Sequence, residues 1–135
     1  MAPLPSGLPE AIGAEEDLAR FLFSDRHYNT TMVKPAAFLP NPTDRESSIS
    51  RHGKTPLAAL WALGQLAARD RTLHGAALFK LAAVQEAGLI VEACEPPDRH
   101  AAIRGWPWDT DLHRAKQKEM AAVLASQSEL LLREG

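Results

Sequence analysis

A chain of 135 residues with 45% hydrophobic content is long enough for one domain with a real core, and its length does not favour two. Its 15 Lys and Arg against 17 Asp and Glu give a formal net charge of -2, which excludes a global positive excess that would draw the whole molecule to nucleic acid or anionic lipid. Cys94 is the single cysteine, so no internal disulfide forms, and no apolar run approaches the roughly 20 residues of a membrane span.

Residues 1–13 read as an extended Pro-rich arm, because the first residues contain neither a basic region nor an uninterrupted apolar segment and their repeated prolines oppose a signal helix. Residues 14–135 then form a single domain. Ala14 to Ser24 has helical spacing, with Leu18, Phe21 and Leu22 on one face and Glu15, Glu16 and Asp17 loading the first turn. Residues 24–31 follow as a polar loop. Val33 to Leu39 is an edge strand, since Pro35 cannot donate to a ladder. Pro40-Asn41-Pro42-Thr43-Asp44 is a turn, and Glu46 to Arg51 is extended again.

Thr55 as a cap and Pro56 at the first helical position start a helix that keeps a 3.6-residue face to about Arg69. A third helix is expected from Gly75 or Ala76 to Ala87, ended by Gly88 in the left-handed conformation. Leu89 to Ala93 carries the β-branched pair Ile90 and Val91 and reads as an inner strand. Glu95-Pro96-Pro97-Asp98 turns it back onto Arg99 to Gly105. After the Trp106-Pro107-Trp108 corner, Asp109-Thr110-Asp111 caps a long helix reaching about Leu132.

The expected order is α-ββ-αα-ββ-α, an α+β domain with about four mostly antiparallel strands and helices packed on one face. An echo between residues 42–49 and 96–103, each with a Pro, an Asp-Arg pair and an Ile, would make Arg45 and Arg99 equivalent. With so few matched positions, recurrence of Pro-Asp turns explains it better than duplication.

Alternation places His100, Ala102, Arg104 and Trp106 on one side of the fourth strand, with Ala101 and Ile103 on the other. Convergence of Arg45, Arg51, Arg99 and Arg104 would suit phosphates of a nucleotide or RNA, with His100 and either His27 or His52 moving protons in a ribonuclease or hydrolase. The histidines lack metal-binding spacing, so no metal is expected, and without a glycine-rich phosphate loop no cofactor is implied. Cys94, between Glu92 and Glu95, is expected to be structural rather than reactive.

Trp106, Trp108, Leu130 and Leu131 are candidate anchors for a protein partner, because rigid aromatic rings lose little entropy on binding. The leading expectation is a small cytoplasmic accessory or adaptor protein, from a bacterium of high genomic GC content judging by its Ala, Leu and Arg, acting by protein-protein interaction. The alternatives are a phosphate-directed binder or enzyme with a local basic patch for nucleic acid, and a structural homodimer. No membrane association is expected.

Overall fold

Leu18, Ala19, Phe21 and Leu22 are all buried, a pattern that belongs to a strand covered on both faces. In the computed structural model, which describes residues 4–51, 55–108 and 112–133, this segment is strand β1, Asp17–Leu22. The expected first helix is therefore corrected: the spacing of Leu18, Phe21 and Leu22 reflects burial on alternating faces.

The other strands are β2 (Ser47–Arg51), β3 (Gly75–Lys80), β4 (Ile90–Ala93), β5 (His100–Arg104) and β6 (Glu129–Leu132). They form one six-stranded sheet in the order β4-β5-β2-β1-β3-β6, with every neighbouring pair antiparallel. Helices α1 (Leu57–Ala68), α2 (Leu81–Glu86) and α3 (His113–Ser126) complete the α+β fold.

Six strands replace the four expected, and the element order changes accordingly. The expected third helix divides into β3 and the short α2. Gly75-Ala76-Ala77 is small enough to lie between β1 and β6, and Gly88, with φ +83°, ends the α2 segment as foreseen. Val33 to Leu39 is not a strand. It contains a 3-10 turn, Pro35–Phe38, whose first position suits the fixed φ of proline. The last helix stops at Ser126, and Leu130-Leu131-Leu132 enters the sheet edge beside β3.

Helices cover both faces of the sheet rather than one. Leu18, Leu22, Ile49, Phe79 and Ile103 meet Phe38, Val84 and Leu124 from the 3-10 turn, α2 and α3. On the opposite face, Ala19, Phe21 and Ala76 meet Leu60 and Ala68 of α1. The β2 and β5 part of that second face carries Ser48, Ser50, His100 and Arg104 instead of a large apolar set. This polar half-face beside α1 is the floor of a cleft.

The arm is tied to the domain. Ser6 donates from its backbone N and Oγ to the Glu95 carboxylate at 3.0 and 2.7 Å, and Pro9 O accepts from Arg51 Nη1 at 2.5 Å. No helix among the described residues is long and apolar enough to cross a membrane.

Candidate functional site

β1 pairs with β3 along all six of its residues but with β2 only at Leu18–Arg51 and Ala19–Ser50. Beyond Ala19 the Arg20 side chain takes over the bridging. Its Nε donates to Ala37 O at 2.9 Å and its Nη1 to Ser48 O at 2.6 Å, joining the 3-10 turn to β2. Arg20 also lines a cleft of about 470 Å³ between α1 and the polar half-face, within the usual range of small-ligand sites.

Although Arg20 keeps some surface on the cleft, burial is the first cause that brings its pKa down from the ordinary arginine value to about 10. The charge of Arg71 lowers it further, and Asp44 offsets only part. Among the described residues no carboxylate lies within ion-pair distance of Arg20. A desolvated cation held by two backbone carbonyls and facing another cation is an arrangement that an anion would relieve.

Arg71 reaches the cleft from the end of α1. Its Nε and Nη2 donate to Ala68 O and Ala67 O at 3.2 and 3.0 Å, and its Cζ lies 4.0 Å from the Phe23 ring centroid. It covers helix carbonyls whose partial negative charge would repel an anion. Arg69, at a positive φ of 57°, lines the same rim.

Ser50 pairs with His100 across β2 and β5, and Cys94 N donates to His100 O at 3.0 Å, so Ser50, His100 and Cys94, the residue just past β4, form a row. His100 Nδ1 lies 2.9 Å from Cys94 Sγ and 3.3 Å from Cys94 O. These contacts fix the ring and leave Nε2 without a partner among the described residues. Burial, then Glu46, raises the Cys94 pKa above its ordinary value, with Arg104 opposing and Glu92 and Glu95 adding to the rise. Two acids line the cleft, Glu46 and Asp98; Glu46 is neutralised by Arg104 Nε at 2.6 Å.

No protein-family model, curated protein or solved structure matches this chain. The chemistry of the cleft therefore stands on its own residues.

The four arginines singled out from the sequence do not share one pocket. Arg51 is fully buried and holds the Glu16 carboxylate through Nε and Nη2 at 2.5 and 2.7 Å. Arg104 holds Glu46 and, at 3.5 Å, Glu92. Arg45 lies with its Cζ 5.2 Å from the Trp108 ring centroid, and Arg99 donates to Arg51 O at 3.4 Å. The two echoed turns do share backbone form, with φ 61° at Arg45 and 62° at Arg99.

His100 lines the cleft, whereas His27 ends the 3-10 turn Asp25–His27, where burial and then Arg20 lower its pKa. His52 and the cap Asp109-Thr110-Asp111 lie outside the described residues. Trp106 does not continue the polar face of β5. Gly105, at φ +97°, redirects the chain, and Trp106 enters the core with its indole N–H on Ile103 O at 3.2 Å. Trp108 is half-buried beside His113, and Leu130 and Leu131 pack against opposite cores from the edge strand β6.

The sequence reading missed Arg20, Arg69 and Arg71. The signal for Arg20 was a lone charge inside the apolar run 18–22, where a strand rather than a helix makes it an interior cation.

A second feature adjoins the cleft. α1 carries no charged side chain, and Leu57 and Leu66 are 51% and 78% exposed. A groove of about 490 Å³ runs along this helix, lined by residues including Leu8, Pro56, Ala59, Ala62, Leu63 and Leu66. Pro56 occupies the N-cap, and Thr55, the expected cap, instead has its Oγ1 buried without a hydrogen-bond partner among the described residues.

Proposed function

We propose that the protein binds a small phosphate-bearing ligand in the cleft between α1 and the β2–β5 half-face. The observation that carries this reading is the desolvated Arg20 guanidinium, which has no carboxylate within ion-pair distance among the described residues. Burial, with the charge of Arg71 adding to it, brings its pKa down to about 10 and so disfavours the charged form. A bound dianion would offset that cost.

Arg20, Arg69 and Arg71 line the cleft together with Ser48 and Ser50, a set of donors that suits the several oxygens of a phosphate. His100 would present Nε2 to the ligand and is the group placed to move a proton if the ligand is turned over. The near-neutral chain favours a small ligand over a long RNA.

Inorganic phosphate and phenyl phosphate at millimolar concentration should raise the Tm of the wild-type protein more than equal ionic strength of chloride does. Arg20→Gln, which keeps a donor for the carbonyls but removes the charge, should lose most of that shift. An unchanged wild-type Tm would rule the reading out.

The accessory-protein reading finds separate support in the exposed, uncharged face of α1, a surface that a partner or a second copy would cover. Under it, Leu66→Lys would abolish a complex without lowering stability, and light scattering would separate a homodimer from a monomer that recruits another protein.

A further inference from the structure

Resting on the phosphate reading, we propose that the ligand is an amphiphile, a phosphate monoester bearing one alkyl chain, whose head sits at Arg20 and Arg71 and whose tail lies in the groove along α1. The two cavities share Leu63, Leu66 and Asp98 in their walls, so a ligand leaving the basic cleft past Leu66 enters the aliphatic groove directly. One molecule with a charged end and an apolar end matches this change in lining.

Two features favour an alkyl tail over the base of a nucleotide. Among the described residues the groove has no aromatic ring for a base to stack on, and six of its nine wall residues are Ala, Leu or Pro, with Thr55, Asp98 and Arg99 the polar ones. The groove also follows a helix with an apolar surface left to water: Leu66 is 78% exposed and Ala59 and Ala62 are exposed beside it. A tail laid there removes apolar area from both partners. From Leu66 back to Pro56 the helix rises about 15 Å, room for a chain of octyl to decyl length.

The test is calorimetric titration of the full chain with inorganic phosphate, butyl phosphate and octyl phosphate, each alkyl ester kept below its micellar concentration. Binding should tighten along the series, by up to about fourfold for each methylene that becomes fully buried. Ala62→Glu, at an exposed helical position that should not disturb folding, should abolish the chain-length dependence while inorganic phosphate still binds. Arg71→Gln should weaken every member.

Equal affinity for all three ligands would overturn the tail while leaving the head site standing, whereas no binding by any of them would remove the head site itself. Octyl phosphate binding that ignores Ala62→Glu would place the chain elsewhere and overturn the assignment. A dimer that persists in saturating octyl phosphate would also overturn it, because a second copy would then cover α1. Retention of lysophosphatidate after separation from phosphatidylcholine vesicles would support a membrane source for the amphiphile; retention of octyl phosphate alone would support a soluble one.

Discussion

Arg20 and Arg51 are both cations inside the sheet, yet they are satisfied differently. Arg51 has a bidentate carboxylate, so it is a structural pin, and removing Glu16 would strand its charge. Glu16→Gln should therefore destabilise the fold by about 3 kcal/mol or more in a denaturant titration. Arg20 has carbonyls and a neighbouring cation, which makes it responsive to solutes. His27 senses that same charge: burial first and Arg20 second depress its pKa below 6.5. The unfolded chain thus takes up the proton first as pH falls. Stability from this group is present above about pH 6.5 and is lost as pH drops through the lower folded value. Tm should fall between pH 7 and 5, and His27→Asn should flatten that limb; an identical profile in the variant would exclude His27 as the source.

At the scale of elements, two glycines decide how closely the layers approach. A Cβ on Gly64 of α1 would come within 2.8 Å of Leu73 Cδ2 and 2.9 Å of the Phe21 ring, side-chain atoms rather than backbone. A Cβ on Gly75 would meet backbone, with Leu132 Cα at 2.9 Å and Leu131 O nearer still. Gly64→Ala recovers about 1 kcal/mol of helix propensity against its clash, whereas Gly75→Ala has no helical gain and must push β6 from β3. Gly75→Ala should be the more destabilising, by about 1–3 kcal/mol, with faster amide exchange in residues 129–132 as the reporter.

For the whole molecule, the arm contributes long-range polar contacts despite its irregular backbone. Ser6 meets Glu95 and Pro9 meets Arg51, so the arm joins the β4–β5 turn to the buried ion pair while Leu8 forms part of the groove wall. Removing residues 1–13 leaves one Arg51 donor without its carbonyl. The truncated protein should lose about 1–3 kcal/mol of stability, and retention of the full Tm would show that water replaces Pro9 O without cost.

The sequence by itself determined the parts whose signals are local. Pro56 ahead of an apolar 3.6-residue face marks α1, the turn at residues 95–98 joins β4 to β5, and alternation of Ser48, Ile49 and Ser50 marks β2, enough for the α+β class and for putting His100 and Arg104 on one face. The tertiary structure alone decided β1, β3 and β6. Helices on both sides bury both faces of β1 and β3, which erases the period of two that would have distinguished them from helices, and pairing with β3 draws Leu130-Leu131-Leu132 out of the expected final helix. The cleft depended on those same strands. Arg20 becomes an interior cation only where β1 pairs incompletely with β2, and Arg71 joins it only when α1 packs across the sheet, a juxtaposition set by long-range packing and carried by no local pattern.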